Sequence, residues 1–150
     1  MNEFPYQYDS SFSKQYQESG CYAHCVAKIA YEEGGFQDSN IRTRINAVIE
    51  ASLKANYITD KIYVLDPDKV FLLYGVIAKY GQKHEAPEYV CAPDEREILC
   101  FNRKTEEDKE IFHFVVGYPD GSIWDPLKRS RTVAEGFLAS KRIFKILGRV

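Results

Sequence analysis

Two thiols and an imidazole lie within five residues of each other in the stretch QYQESGCYAHC, which runs from Gln15 to Cys25. Such side chains bind metals, form disulfides or act in catalysis, depending on what faces them. A thiol attacks a carbonyl only when a base removes its proton and donors hold the oxyanion that forms. Cys21 is a candidate for such a nucleophile.

The pattern after Cys21 predicts a helix that begins at or just before this residue. Unpaired backbone N–H groups and the helix dipole favour the thiolate at that place. Gly20 lets the backbone turn sharply and leaves room for a substrate. Gly34-Gly35 supplies a stop. The apolar positions recur at helical spacing, at Tyr22, Cys25, Val26, Ile29 and Ala30.

A base and a group that orients it are predicted on a hairpin in the second half. His113 lies in an expected strand, Ile111 to Tyr118, and the turn Pro119-Asp120-Gly121 precedes Asp125. A tight turn brings His113 near the Asp125 end of the partner strand. Cys21, His113 and Asp125 thus follow the logic of a catalytic triad, and Gln15 would complete the oxyanion hole beside the Cys21 amide.

Four features of the sequence together resemble the papain-like cysteine peptidases. They are Gln15, Cys21 at a helix start, His113-Phe-Val-Val-Gly and Trp124-Asp125-Pro126-Leu127. The likeness is greatest to the compact bacterial group that includes the leader peptidase domains of bacteriocin exporters. The resemblance implies the order Gln, Cys, His, Asp, an oxyanion role for Gln15, and a peptide or protein substrate. One departure is that Tyr22, not glycine, follows Cys21.

Two other interpretations of the cysteines remain open. A zinc site would use Cys21, His24 and Cys25 with Cys91 and Cys100, but the spacing lacks the short paired knuckles of structural zinc. Cys25 is a rival nucleophile, although it lies on the apolar stripe of the helix and is expected in the core. His24 is expected at the surface or in support of the site. No metal and no cofactor are predicted.

Three helices are predicted before position 82. The second has Asp38 and Ser39 as capping residues, and Asn56 ends it. The third opens at Asp66-Pro67 and ends before Gly81. Their apolar stripes comprise Ile41, Ile45, Val48, Ile49 and Leu53 in the second helix, and Val70, Leu73, Tyr74 and Ile77 in the third.

Strands dominate the remainder of the chain. Arg103 to Glu110 is a charged run that suits a solvated loop, and Thr132 to Leu138 suits a short helix. The expected strands are Glu97 to Phe101, Ile111 to Tyr118, Ser122 to Trp124 and Arg142 to Leu147. The prediction is one α+β domain over residues 1–150, with N-terminal helices packed on a C-terminal antiparallel sheet in the papain-like manner.

Composition narrows the class of protein. The chain has 20 basic and 22 acidic residues, so nothing in its charge calls for nucleic acid or an anionic membrane. No apolar run approaches the length of a membrane span, and the first residues lack the features of a secretion signal. A cytoplasmic protein with free thiols is expected.

The expected activity is hydrolysis of a peptide or amide bond through an acyl-enzyme on Cys21. The same groups would serve acyl transfer or removal of an amide from a small conjugate. An alternative of another class keeps the fold but makes the chain an inactive peptide-binding module, because Tyr22 would narrow the cleft. The oligomeric state is not predicted.

Overall fold

The computed structural model describes residues 3–36, 40–84 and 88–150. The structure is α+β, with helices packed on an antiparallel sheet of five strands in the order β1-β5-β2-β3-β4. The helices are α1 Lys14–Ser19, α2 Cys21–Glu32, α3 Ile41–Lys54, α4 Pro67–Leu73 and α5 Arg131–Glu135. The strands are β1 Val76–His84, β2 Glu95–Lys104, β3 Glu110–Gly117, β4 Ile123–Trp124 and β5 Phe137–Arg149.

Helix α2 begins where the sequence pattern predicts, at Cys21, and carries the apolar stripe into the core. Cys25, Val26 and Ala30 are fully buried, because they recur on the face turned toward the sheet. The helix ends before Glu33, and Gly34 follows in the left-handed region with φ of 81°. The chain therefore turns away from α2 at the predicted glycine pair.

Helix α1 was not predicted, because six residues with one buried side chain are too short to show a helical period. Ser13 caps it, since the hydroxyl accepts a hydrogen bond from the Tyr16 N–H at 3.2 Å. Tyr16 is its buried residue. Helix α1 is followed directly by Gly20 and α2.

Helix α3 lies at the predicted place, but two details differ. The Asn40 side chain accepts from the Thr43 N–H at 3.1 Å and is the N-cap, whereas the predicted capping residues Asp38 and Ser39 lie outside the described residues. Leu53 is 37% exposed, so the predicted stripe is wrong at its last position, where Ser52 is buried instead. Asn56 follows the helix with φ of 61°.

The third predicted helix is shorter than expected. α4 ends at Leu73, Tyr74 is its C-cap, and Gly75 takes φ of 89°, a value that breaks the helix. The residues after Gly75 form β1, so Ile77 lies on a strand and is exposed instead of facing the helical core. Gly81 lies within β1, near a shift in its pairing with β5.

The second half forms the predicted antiparallel strands, with wider bounds for β2 and β5, a shift of one residue for β3 and a shorter β4. Strand β2 pairs with β3 along Glu97 to Lys104, so both ends of the charged run predicted as a loop belong to strands. The short helix begins at Arg131 and ends before Gly136, not at Leu138, and β5 starts at Phe137. A Cβ at Gly136 would lie 2.3 Å from the Asn102 carbonyl oxygen, so only glycine fits there.

The main core lies between the helices and one face of the sheet. Val26 and Ile29 of α2 belong to it together with Ile98, Val116 and Phe144 of the strands. This burial fixes α2 against β3, where the Tyr22 and Phe114 rings meet edge to face with centroids 4.9 Å apart. Within residues 3–36, 40–84 and 88–150, no helix is long and apolar enough to cross a membrane.

Candidate functional site

Cys21 is the first residue of α2, and its side chain is partly exposed. Gly20 is the N-cap and offers no side-chain acceptor to the first turn. The N–H groups at the start of a helix have no carbonyl partner inside it, and their partial positive charge favours a nearby anion. The thiol thus stands where backbone donors are available and where a ligand can approach.

His113 lies on β3 with 5% of its surface exposed. Its Nε2 lies 2.7 Å from Asp125 Oδ1. An ionised carboxylate only accepts hydrogen bonds, so Nε2 carries a proton and donates it. A hydrogen bond with the Cys21 side chain is among the causes that raise the pKa of the ring, so the thiol lies beside it. Since Asp125 holds Nε2, the ring nitrogen left for the thiol is Nδ1.

The hairpin register explains how His113 and Asp125 meet. Gly117 pairs with Ile123 and Val116 with Trp124, as the Pro119-Asp120-Gly121 turn predicts. The paired strand ends at Trp124, and the chain then turns, with the Lys128 N–H donating to the Asp125 backbone carbonyl at 2.8 Å. This turn directs the Asp125 carboxylate to the imidazole.

Backbone donors hold the Asp125 carboxylate in place. The Leu127 N–H donates to Oδ1 and the Ser130 N–H to Oδ2, both at 2.9 Å. With the His113 donor, both carboxylate oxygens are therefore occupied. Sequence reasoning missed these two positions, because a backbone N–H carries no residue signature; an Asp-Pro turn was the one local hint.

The pKa values of the pair move apart. Burial would lower the pKa of His113, but hydrogen bonds to Asp125 and Cys21 outweigh it and raise the pKa to about 9. Burial would raise the pKa of Asp125, yet hydrogen bonds from His113 and Leu127 lower it to about 2. At neutral pH the imidazole is therefore positively charged and the carboxylate is negatively charged.

Gln15, the predicted oxyanion donor, lies on α1 and is exposed. Its amide nitrogen donates to Ser19 Oγ at 2.6 Å, and the Ser19 hydroxyl also contacts the Lys61 carbonyl oxygen at 2.6 Å. In this conformation the amide is engaged within α1. Donation of a hydrogen bond from the Gln15 amide to an oxyanion stays a prediction. It requires the Gln15 side chain to break its hydrogen bond with Ser19.

Gly20 is required by packing beneath the thiol. A Cβ at this position would lie 2.6 Å from the Tyr16 carbonyl oxygen and 3.1 Å from its ring. The φ of Gly20 is −89°, so its backbone conformation is open to any residue. The sequence argument assigned Gly20 to substrate access; the structure adds contact with Tyr16 as a reason for the missing side chain.

His24, expected at the surface or in support of the site, is fully buried, so the surface alternative is wrong. Tyr16 Oη donates to Nδ1 at 2.5 Å, and Nε2 donates to the Pro5 carbonyl oxygen at 2.7 Å. Burial is the main cause that lowers the pKa of His24 to about 4. The neutral ring thus joins the N-terminal segment, α1 and α2 behind Cys21.

The N-terminal segment also reaches the loop that carries Asp125. The Gln7 N–H donates to the Pro126 carbonyl oxygen at 2.8 Å, and its side-chain amide donates to the Gln17 carbonyl oxygen at 3.0 Å. The Trp124 ring stacks with the Tyr6 ring at a centroid distance of 5.8 Å. This segment therefore links the helical side of the site to the hairpin side.

The other cysteines lie in different surroundings. Cys25 and Cys100 are buried, and burial raises the pKa of both thiols. Cys91 is partly exposed, and burial is again the first cause that raises its pKa, to about 12. All four thiols are free. In the described part of the chain, no group of three or more His, Cys, Asp or Glu side chains is arranged to hold a metal ion.

Comparison with known proteins gives a family and no function. No curated protein and no solved structure matches the chain. A family model covers nearly all of it, from before α1 to within β5, and so includes Gln15, Cys21, His113 and Asp125. The chain belongs to the family described as "Protein of unknown function, DUF261", whose model matches residues 6–146.

Proposed function

We propose that the protein is a cysteine hydrolase that cleaves a peptide or amide bond, with Cys21 as nucleophile. The observation that carries the proposal is the alignment of three groups: the Cys21 thiol at a helix start, the His113 ring beside it, and Asp125 at 2.7 Å from the far ring nitrogen. Groups in this order generate a thiolate and then return a proton to a leaving amine.

In the proposed reaction, His113 holds the proton of the Cys21 thiol and the thiolate sulfur attacks the substrate carbonyl carbon. The carbonyl oxygen becomes an oxyanion beside the Cys21 backbone N–H. When the C–N bond breaks, the imidazolium gives its proton to the leaving amine, which leaves a thioester on Cys21. Water then attacks the acyl carbon while His113 accepts a proton from it. The C–S bond breaks, the carboxylic acid leaves, and the Cys21 thiolate beside protonated His113 is restored.

Asp125 acts through His113 in this proposal and does not touch the substrate. Its carboxylate fixes which ring nitrogen is protonated and stabilises the positive charge on the ring. The Leu127 and Ser130 N–H groups keep the carboxylate from rotating. A rigid orienting group of this kind reduces the reorganisation needed during the reaction.

The proposal extends to the fold and the partner. A helix that presents Cys21 and a sheet that presents His113 and Asp125 support a papain-like arrangement, with a peptide or protein substrate between them. Four free cysteines suit a reducing compartment, where we place the enzyme. Acyl transfer in place of hydrolysis would use the same residues with an amine or alcohol as acceptor.

The experiment that tests the proposal is covalent trapping of the acyl-enzyme. The protein is incubated with a peptide carrying an activated ester, and the adduct is located by mass spectrometry of proteolytic fragments. We expect one acyl group on Cys21, its loss in Cys21→Ser, and normal labelling in Cys91→Ser, which removes another partly exposed thiol. Labelling that is the same in Cys21→Ser as in the native protein would overturn the assignment.

The peptide-binding module is the second candidate, and two observations favour it. The bulky Tyr22 follows Cys21, and the Gln15 amide is engaged by Ser19. A module would bind peptides equally well in the native protein and in Cys21→Ala, and neither would form an adduct. An adduct on Cys21 that turns over with time excludes this candidate.

A further inference from the structure

A second site lies at the far end of α2 from Cys21. A cavity of about 670 Å³ is bounded by Ile29 and Glu32 of α2, the segment around Tyr89, and the hairpin residue Tyr118. Eleven residues of helix separate Cys21 from Glu32, which corresponds to about 16 Å. The cavity is therefore distinct from the candidate catalytic groups.

The size and lining of the cavity suit a small organic ligand. Ligand sites in proteins measure about 300–1,000 Å³ and combine apolar walls with a few polar groups. Here the apolar walls come from Ile29, Leu99, Val116 and Leu138. The walls belong to both the helix and the sheet, so a ligand would contact both.

The charge of the lining is mostly negative. The lining contains four carboxylates and two cationic side chains. The carboxylates are those of Glu32, Glu33, Glu95 and Glu97, and the cationic side chains are Arg96 and Lys141. Arg96 bonds Glu33 at 2.9 Å, and Lys28, from outside the lining, lies 3.7 Å from Glu32. The Tyr118 hydroxyl also donates to Glu32 at 2.9 Å, which adds a hydrogen bond but no positive charge.

Glu97 pairs with Lys141 but, among the described residues, keeps one carboxylate oxygen without a hydrogen bond. Its Oε1 lies 3.4 Å from Lys141 Nζ, while that ammonium makes a closer hydrogen bond to the Tyr89 carbonyl oxygen at 2.8 Å. Its Oε2 is buried and has no hydrogen-bond partner within residues 3–36, 40–84 and 88–150. Lys141 already supplies one cation here, and a second cation in the cavity would offset the remaining negative charge of the lining.

We propose that this cavity binds an organic cation, specifically a primary ammonium group on an aliphatic body. The apolar walls would hold the aliphatic part, and the carboxylates would favour the positive head group. Tyr89 and Tyr118 also line the cavity. The proposal does not depend on the chemistry of Cys21, since none of its contacts involve that residue.

The test compares hexylammonium, hexanol and hexanoate, which share one chain and differ in head-group charge. Binding is followed by backbone amide chemical shifts in the intact protein. We expect saturable shifts at Leu99, Gly117 and Gly121 with hexylammonium, and binding about tenfold weaker for hexanol and weaker still for hexanoate. Cys21→Ser should bind hexylammonium as the native protein does, which separates this result from the fate of the proposed hydrolase.

Substitutions at the rim keep the test independent of folding. Val90 lines the cavity and is 83% exposed, so a charge placed there leaves the core unchanged. Val90→Glu should tighten hexylammonium binding and Val90→Lys should weaken it, while Glu97→Gln weakens it further. Equal or tighter binding of hexanoate, or shifts confined to exposed residues outside the cavity such as Leu65 and Leu147, would overturn the proposal.

Discussion

Asp125 Oδ1 lies 2.7 Å from His113 Nε2, and the side chains of both residues are 6% exposed. The two residues are 12 positions apart, on either side of a tight turn. Because both side chains are buried, little water competes for this hydrogen bond, and the hydrogen bond is stronger than one at the surface. The pair fixes the His113 ring beside the Cys21 thiol, so the properties of each residue depend on the other.

Asp125→Asn should lower the pKa of His113 from about 9, because the hydrogen bond to Asp125 raises it. The measurement is a titration of the His113 ring resonances by NMR. Asp120→Asn removes a carboxylate from the turn of the same hairpin and is the matched control. An unchanged His113 titration in Asp125→Asn would contradict the assigned cause.

Asp125→Ala should reduce stability by about 1–3 kcal/mol, because the Leu127 and Ser130 N–H groups lose their acceptor. Urea unfolding of the variant and the native protein measures the difference. Asp125→Asn retains one acceptor oxygen and should cost less. Equal stability of Asp125→Ala and the native protein would mean that this turn is not held by the carboxylate.

The pair should also set the pH dependence of stability. The pKa of His113 is raised from 6.5 to about 9, so its contribution is fully present below pH 6.5 and is lost as pH rises through 9. The pKa of Asp125 is lowered from 3.8 to about 2, so its contribution is present above pH 3.8 and is lost as pH falls through 2. The contribution of the pair is therefore greatest between these limits.

Unfolding free energies of the native protein and His113→Gln, measured across pH, test this dependence. Their difference should be constant between about pH 4 and 6.5 and shrink toward pH 9. Val115→Ala, on the same strand and without a titrating group, should show a difference that does not follow this course. A His113→Gln difference that grows from pH 6.5 to 9 would contradict the raised pKa.

Gln15→Ala should lower kcat/KM for an amide or ester substrate by about 10²–10³ if the amide donates to the oxyanion. Ser19→Ala is the matched control, because it removes the group that engages the amide at 2.6 Å but leaves Gln15 in place. The control should retain activity. Equal losses in both variants would assign Gln15 to the structure of α1 and not to the reaction.

Tyr16→Phe should destabilise the protein by about 1–3 kcal/mol, because it leaves Nδ1 of the buried His24 without its donor. Thermal or urea unfolding measures the loss. Tyr8→Phe removes a hydroxyl from a side chain that is 51% exposed and serves as control. Similar stability of both variants would show that the hydrogen bond between the Tyr16 hydroxyl and His24 does not stabilise the protein.

Short sequence patterns predicted the elements that depend on neighbouring residues, such as a tight turn or the start of a helix. The Pro119-Asp120-Gly121 turn predicted the hairpin, and the structure pairs Gly117 with Ile123 across it. The start of α2 at Cys21 was equally clear. The third helix was predicted too long, because the positions up to Ile77 fit a helical stripe, whereas Gly75 takes a positive φ that ends the helix.

Tertiary contacts account for what the sequence did not predict. Residue type and spacing selected His113 and Asp125, but the Leu127 and Ser130 N–H groups that fix Asp125 have no signature. For His24 a surface position and a supporting role were both left open. The residues that hydrogen-bond to its ring, Tyr16 and Pro5, lie in segments whose packing no local pattern predicts.

The most direct test of the central claim is the rate at which iodoacetamide alkylates Cys21 at about pH 6, where an ordinary thiol is almost wholly protonated. Rates are measured by mass spectrometry in the native protein and in His113→Ala, with Cys91 in the same molecule as the internal reference. The account predicts fast alkylation of Cys21 that slows at least tenfold in His113→Ala, while Cys91 stays slow in both. Slow alkylation of Cys21 at this pH, unaffected by His113→Ala, would contradict it.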